Sequence, residues 1–222
     1  MATREAPIRR AELLRASPRM FDNPMLDKLS RVHPVVPVVV FAPVIVALGV
    51  LAVQRTGTLP SVGWILGGLV FWSLTEYWLH RLVFHFEPDH PLGQRLHFII
   101  HGVHHDHPND RMRLVMPPSV SVPLSALFLL VFRVALGPVA WLAFGAGFLL
   151  GYLAYDMTHY HVHHHQPRTR LGRRLRAQHM RHHFQDHDAG YGVSSPLWDH
   201  VFGTVPSARR GAPSTRSERT VA

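Results

Sequence analysis

Four long runs of apolar residues dominate the chain, and they alternate with polar stretches that are rich in histidine. The runs cover residues 34–53, 61–79, 119–136 and 138–155. Each is about 20 residues long, enough helix to cross a hydrocarbon layer of about 30 Å. Short breaks at 54–57 and 137–138 pair them into two helical hairpins. The pattern predicts an all-α integral membrane protein with four transmembrane helices, and it disfavours a soluble bundle, in which apolar runs of this length are uncommon.

Composition supports this interpretation. The chain has 222 residues, a length that fits one compact domain. Of these residues 47% are hydrophobic and 17% are charged, and this charged fraction is low for a soluble protein. Cysteine is absent from the sequence. Disulfides and thiolate metal sites are therefore excluded, and histidine is left as the candidate metal ligand.

The net charge of +9 raises the question of nucleic-acid binding, but the basic residues flank the apolar runs. Only Arg55 and Arg133, of the 23 Lys and Arg residues, fall in or near the two hairpin turns. The positive-inside rule then places both termini and the middle segment in the cytoplasm, with no nucleic-acid partner. The N-terminal segment, residues 1–33, has no apolar core of its own and therefore does not resemble a secretory signal.

The remaining segments form a cap in this scheme. Residues 80–118 and 156–204 are expected to form a cytoplasmic helical cap, so that 34–204 is one membrane domain.

Residues 205–222 are rich in Arg, Ser, Thr, Pro and Gly, and this composition predicts a disordered tail. All nineteen histidines fall on the cytoplasmic side, because the second hairpin returns the chain to the face it left.

The histidines fall into four groups with the spacing of metal ligands. Two groups, at 101–105 and 179–183, have the pattern HxxHH, and each is preceded by a histidine pair at the exit of an apolar run. Residues at i, i+3 and i+4 share a helical face, so each HxxHH group is expected to direct three imidazoles into one volume. The ten candidate ligands are His80, His85, His101, His104, His105, His159, His163, His179, His182 and His183.

Ten imidazoles exceed what one ion can use, so the spacing predicts a dinuclear site. Imidazole suits iron, zinc or copper better than calcium or magnesium. The i, i+5 spacing of His80 and His85 further predicts that the helix ends or bends between them. No catalytic side chain beyond the metal centre is expected.

Carboxylates near the histidines are candidates for supporting roles. Glu76 and Asp156 precede histidines by four and three residues, so either could accept the second imidazole hydrogen of a ligand. Asp106, Asp186 and Asp199 are the alternatives. The histidines outside the four groups, such as His97, are expected to be supporting or surface residues.

Several stretches resemble the membrane-bound fatty acid hydroxylase superfamily, and within it the fatty acid 2-hydroxylases. They are FDNPMLDKLSRVHP at 21–34, HRLVFH at 80–85, LHFIIHGVHHDHPNDRMRLVMPP at 96–118, GYLAYDMTHYHVHHH at 151–165 and HMRHHFQDHDAGYGVSSPLWDHVFGT at 179–204. Together they span most of residues 21–204. All ten ligand positions of the family's motif are occupied by histidine here.

The resemblance implies a four-helix membrane anchor under a cytoplasmic cap that holds two iron ions. It also implies O2-dependent hydroxylation of the carbon next to the carboxyl or amide of a fatty-acyl chain, free or in a sphingolipid-like lipid. Zinc could occupy the site in purified protein. Five side chains could contact the lipid head group: Tyr160, Arg111, Arg113, Tyr191 and Trp198.

Eukaryotic relatives often carry a cytochrome b5 domain, whereas only about 33 residues precede the first apolar run here. Electrons are therefore expected from a separate ferredoxin, cytochrome b5-like protein or flavoprotein. Two other functions stay open from the sequence: a sterol or carotenoid hydroxylase or desaturase of the same superfamily, and a histidine-rich metal transporter.

Overall fold

The computed structural model describes residues 9–206, and within this range the protein contains helices and connecting loops. The helices, numbered in chain order, are α1 Arg10–Leu13, α2 Pro24–Leu29, α3 Val35–Thr56, α4 Thr58–Leu79, α5 Pro91–His97, α6 Val103–Asp106, α7 Pro118–His164, α8 Arg170–Phe184 and α9 Leu197–Phe202. Two π-helical segments, π1 at His80–Phe84 and π2 at Phe98–Gly102, follow α4 and α5 directly. The all-α prediction is confirmed for the described residues.

Within residues 9–206, three helices are long and apolar enough to cross a membrane: α3, α4 extended by π1, and α7. The 47-residue α7 is interrupted at Gly137, which is followed by Pro138. Gly137 has a φ of 78°, a backbone conformation that glycine adopts easily and that is strained for other residues. Its two parts, 118–136 and 138–164, correspond to the third and fourth predicted runs. Large apolar side chains lie exposed on these helices, with Val39 67% and Val134 80% exposed, as expected of a surface that faces lipid.

The helix boundaries differ from the predicted runs at two places. The break after α3 is confined to Gly57, at φ 82°, so that α4 begins at Thr58 instead of residue 61. The second part of α7 continues beyond residue 155 to His164. The same rigid helix therefore carries both the apolar run and two of the predicted metal ligands.

The core lies where α4 packs against α7. Aromatic rings fill this contact: Trp72 lies edge-on to Phe148 and Tyr152, at centroid distances of 5.1 and 5.4 Å. Phe41 of α3 meets Tyr152 edge-on at 5.0 Å. Such edge-to-face pairs stabilise a packing arrangement beyond the area they bury.

Glycines allow the two long helices to approach closely. A Cβ atom added at Gly147 would collide with the backbone carbonyl oxygen of Ile65, and one added at Gly68 would collide with that of Phe144. Small residues at such positions are typical of helix pairs in membranes, since they let the backbones approach each other.

The N-terminal segment packs on the loop that precedes α7. Asp27 of α2 accepts a hydrogen bond from the guanidinium of Arg113 at 2.9 Å, and Val32 donates its backbone N–H to Met112 at 2.6 Å. A backbone hydrogen bond from Met20 and the bonds from Arg113 and Arg31 lower the pKa of Asp27 to about 2. Residues 1–8, and most of the predicted tail at 205–222, lie outside the described residues.

We expect Gly147→Ala to destabilise the protein, because the added methyl group meets the backbone of α4. Overpacking of this kind costs about 1 to 3 kcal/mol. Thermal unfolding of the detergent-solubilised protein measures the effect. Gly49→Ala in α3 is the matched control, since a Cβ there has nothing within 4 Å. Equal unfolding temperatures for the two variants would contradict the packing of α4 against α7.

Candidate metal centre

The first histidine pair is brought together by a change in helical winding. Beyond Leu79 the backbone enters π1, and the N–H of His85 bonds to the carbonyl of His80 five residues back at 3.2 Å. The Nε2 atoms of these two histidines then lie 3.2 Å apart. The predicted ending of the α-helix is therefore found at Leu79, and the wider turn aligns residues that an α-helix would separate. Single π-turns are frequent at functional sites.

The ten predicted ligands lie in two groups of five, and the candidate ligand atoms within each group are within 4.8 Å of one another. Group A contains His80, His85, His101, His105 and His182. Group B contains His104, His159, His163, His179 and His183. The groups adjoin, since the rings of His105 and His183 stack with centroids 4.2 Å apart.

The HxxHH groups do not direct three imidazoles into one volume, and that expectation was wrong. His101 and His105 belong to group A, whereas His104 belongs to group B; His179 and His183 belong to group B, whereas His182 belongs to group A. The reason is angular, since at 3.6 residues per turn neighbouring residues point about 100° apart. Each motif therefore contributes an i, i+4 pair to one group and its middle histidine to the other.

The ring nitrogens in each group are crowded together and largely sealed from solvent. In group A the Nε2 atoms of His85 and His182 are 3.0 Å apart, and in group B those of His163 and His179 are 2.8 Å apart. Nε2 of His104 and Nε2 of His159 are buried without a hydrogen-bond partner among the described residues.

These observations fit a metal ion in each group. At a metal–nitrogen distance of about 2.0 to 2.1 Å, two opposite ligands lie about 4 Å apart, within the observed spread. A bound cation would also satisfy the buried nitrogens that lack partners. The groups contain no carboxylate, and an all-imidazole set suits iron, zinc, copper or nickel.

Two histidines of group A are oriented by backbone carbonyls. Nδ1 of His80 lies 2.6 Å from the carbonyl oxygen of Tyr191, and Nδ1 of His182 lies 2.8 Å from that of Ala189. A carbonyl oxygen can only accept, so both Nδ1 atoms carry the hydrogen. The Nε2 lone pairs of His80 and His182 therefore point into group A, which is the tautomer that a metal ligand needs.

Burial keeps the imidazoles outside the apolar helices neutral. It lowers the pKa of His85 to about 3 and that of His182 to about 4. Burial, followed by the proximity of other imidazoles, holds four further pKa values well below the ordinary range: those of His101, His104, His179 and His183. Neutral imidazole is the form that binds a metal.

Glu76 and Asp156, the carboxylates predicted to accept the second imidazole hydrogen of a ligand, accept hydrogen bonds from other donors in the structure. Glu76 is buried and accepts the backbone N–H groups of Val193 at 2.7 Å and Ser194 at 2.8 Å. Asp156 accepts from the backbone of Met116 and the hydroxyl of Tyr152. Helical spacing indicated proximity to the histidines, but the hydrogen-bond donors to both carboxylates are backbone N–H groups and hydroxyls.

Two of the five residues that were predicted to contact the lipid head group bind other side chains of the protein. Arg113 has a side chain only 3% exposed that pairs with Asp27, and Trp198 donates its indole N–H to Ser73 at 3.0 Å. Tyr191 is buried against His80 and His85, with its ring 5.5 Å from that of His85. Arg111 is exposed, and Tyr160 packs against His164 at 4.6 Å.

A cavity of about 970 Å³ opens beside the two groups. Its lining includes His85 and His105 of group A, His183 of group B and the polar side chains of Gln94, His97 and His187. The ring of His187 is 5.4 Å from that of His105. His97 and His187 belong to the histidines that were expected to be supporting or surface residues, although each lies four residues from a predicted ligand, His101 and His183 respectively.

Comparison with known proteins identifies the same site region. The family model described as fatty acid hydroxylase matches residues 65–204, which include all ten histidines. The chain is 38% identical over 201 residues to the dihydroceramide fatty acyl 2-hydroxylase FAH2 of Arabidopsis thaliana, covering 88% of this chain and 83% of the relative. It is 39% identical to the fatty acid 2-hydroxylase of Mus musculus over 148 residues, covering 65% of this chain and 40% of that protein.

A solved structure has a similar fold. It is described as full-length scs7p with only the hydroxylase domain visible, and it superposes with a TM-score of 0.79 at 37% sequence identity. The match covers 86% of this chain and 74% of that one. From the matched family model, the similar sequences and the shared fold, the chain belongs to the fatty acid hydroxylase family.

Proposed function

We propose that this protein hydroxylates the C2 carbon of a fatty acid, or of the fatty-acyl chain of a sphingolipid-like lipid, using O2 and two iron ions held by groups A and B. The observation that carries the proposal is the pair of five-histidine groups at the ends of helices long enough to span a membrane. The regiochemistry is supported by the similar proteins, which are named as fatty acyl 2-hydroxylases.

Iron is proposed over zinc because the reaction is an oxidation. When bound, two irons would supply the O2 activation and electron storage that breaking an unactivated C–H bond requires. Zinc has no redox chemistry, so zinc in purified protein would be a substitute for iron.

The protein's own residues prepare the site. The carbonyls of Tyr191 and Ala189 fix the tautomers of His80 and His182. Burial lowers the pKa values of His101, His104, His179 and His183 and keeps these imidazoles neutral. The cavity beside His85, His105 and His183 offers a space next to both groups in which the head of a lipid substrate could lie. Arg111 and Tyr160 stay candidates for contact with that head group.

We further propose four spans, with the break at Gly137 forming the second hairpin turn. Residues 1–33 and the cap at 80–118 and 156–204 would then lie on the cytoplasmic side. This orientation is supported by the basic residues that flank the apolar helices. The membrane domain would span 34–204.

Metal transport is the alternative from another functional class. A transport path needs ionisable side chains along the membrane interior. Glu76 and Asp156 are held by backbone and hydroxyl donors, and this favours a structural role for both.

A sterol or carotenoid is the alternative substrate. Hydroxylation of such a substrate would leave acyl chains unchanged, so lipid analysis distinguishes it from hydroxylation of an acyl chain.

We expect His182→Ala in group A and His104→Ala in group B each to abolish 2-hydroxylated lipid, because each change removes a ligand from one ion. The chain is expressed in a host that lacks 2-hydroxy fatty acids, and the lipids are measured by mass spectrometry. His161→Ala is the matched control, since His161 is exposed and belongs to neither group. It should keep the product.

Product from either ligand variant would refute the assignment of that group, provided the protein is still found in the membrane. Unchanged acyl chains together with altered isoprenoids in the wild-type strain would instead indicate a sterol or carotenoid substrate.

We propose that the electron donor is a separate acidic protein that docks on α8. The outer side of α8 and the turn before it present exposed arginines, Arg168, Arg170, Arg173 and Arg174, while its buried side carries His179, His182 and His183. Complementary charge would steer a ferredoxin, a cytochrome b5-like protein or a flavoprotein to this surface.

Turnover supported by such a donor should therefore fall as ionic strength rises, because salt screens the attraction between exposed charges. Steady-state rates with purified donor at increasing NaCl measure the effect. A small chemical reductant is the control, and its rate should change little. Donor-supported rates that are independent of salt would contradict docking by charge.

A further inference from the structure

The loop at residues 189–194, here called the anchor loop, provides both carbonyls that orient group A. Ala189 and Tyr191 accept the Nδ1 hydrogens of His182 and His80. The loop has no regular secondary structure, and its ends approach other segments, with Gly190 donating to the carbonyl of Thr204 at 2.7 Å. The positions of its carbonyls therefore depend on whatever holds the loop.

Asp199 of α9 holds the anchor loop from one side. Its side chain accepts the backbone N–H of Tyr191 and the backbone N–H of Gly192, each at 2.9 Å. It also accepts Nε2–H of Gln178 at 2.9 Å and the hydroxyl of Thr204 at 2.8 Å. Asp199 is 0% exposed, so these four donors replace its contact with water. Gln178 precedes His179 on α8, so Asp199 links the loop to the helix that carries three of the ten histidines.

Glu76 holds the other end of the loop. It accepts the backbone N–H groups of Val193 and Ser194, and it also accepts the hydroxyl of Ser194. Glu76 lies on α4, one helical turn before His80, which is the first residue of π1. It therefore ties the anchor loop to the same helix that delivers His80.

Group B has no equivalent anchor among the described residues. Nδ1 of His179 and Nδ1 of His183 are buried there without a hydrogen-bond partner. The two groups thus differ in how their imidazoles are oriented, although each contains five histidines.

We propose that Asp199 is a positioning residue for group A: it fixes the anchor loop so that the carbonyls of Ala189 and Tyr191 present Nε2 of His182 and His80 to the metal. The inference rests on the proposed function, since it takes groups A and B to be metal sites. The expected consequence differs between the two groups. Loss of Asp199 should weaken metal binding at group A and leave metal binding at group B unchanged, because the anchor loop orients His80 and His182, which both belong to group A.

The carboxylate is required because each of its oxygens accepts two donors. Oδ1 receives Tyr191 N–H and the Thr204 hydroxyl, and Oδ2 receives Gly192 N–H and the Gln178 amide. Asparagine has nearly the same shape, but in either orientation its NH2 group would face a backbone N–H of the loop. Asp199→Asn therefore removes the anchor with little change in packing volume.

Zinc binding to the metal-stripped, detergent-solubilised full chain tests the inference. Zinc is used as a redox-inert probe, and competition with a chelator gives the affinity of each site. We expect wild-type protein to bind two ions and Asp199→Asn to keep one at wild-type affinity. The second should bind about 10- to 100-fold more weakly, as expected when a ligand loses its orienting partner.

Asp27→Asn is the matched control. It makes the same carboxylate-to-amide change at a residue that pairs with Arg113, away from the anchor loop, and it also removes the partner of a buried charge. It should lower the thermal stability and leave both zinc affinities unchanged. This outcome would separate a general loss of stability from a specific loss at group A.

Thr204→Val provides a milder second variant if Asp199→Asn does not fold, since it removes one donor to Asp199 while keeping the shape of the side chain. It should weaken the same single site by a smaller factor. Two unchanged affinities, or equal weakening of both sites, would overturn the role of Asp199 while leaving the metal centre intact. A wild-type protein that does not bind two ions would contradict the metal centre itself, and the inference with it.

Discussion

Ten imidazoles are crowded into two adjoining, largely buried groups, and the fold has to satisfy their ring nitrogens. A neutral imidazole has one N–H donor and one lone pair, and a buried ring must find partners for both. Within each group the ring nitrogens face one another, and some, such as Nε2 of His104 and Nε2 of His159, have no partner among the described residues. A cation bound in each group would resolve this conflict, because the imidazole lone pairs would then face positive charge. The long helices, the π-turns and the anchor loop are the means by which the chain holds this arrangement.

The long helices set the positions of the first ligands. Gly68 and Gly147 let α4 and α7 approach closely, and the aromatic rings around Trp72 fix their packing. The ends of these two helices then carry His80 into group A and His159 into group B. His163 lies on the same helix as His159, and the other histidines of the two groups follow π1 or lie on π2, α6 and α8. The middle histidine of each HxxHH motif joins the opposite group. This exchange interlocks the two sites, so that neither group is built from one part of the chain alone.

Much of this architecture could be predicted from the sequence, because apolar runs and helical spacing report local geometry. The runs that became α3, α4 and α7 and the ten histidines that the structure brings together were all identified in this way. Contacts between segments that are distant in the sequence produce no pattern of apolar runs or helical spacing, so they could not be predicted in this way. The carbonyls of Ala189 and Tyr191 are backbone atoms, so no residue type marks them as partners of His182 and His80. Glu76 and Arg113 were recognisable as functional candidates, but their partners, the anchor loop and Asp27, lie far away in sequence. The HxxHH split could have been anticipated from the 100° rotation between neighbouring helical residues.

If the proposed function is right, groups A and B each hold one metal ion. Anomalous X-ray diffraction at the iron absorption edge, on crystals of protein purified with its native metal, tests it most directly. We expect two anomalous peaks, one surrounded by the Nε2 atoms of group A and one by those of group B. A single peak shared between the groups, or peaks elsewhere in the protein, would contradict it.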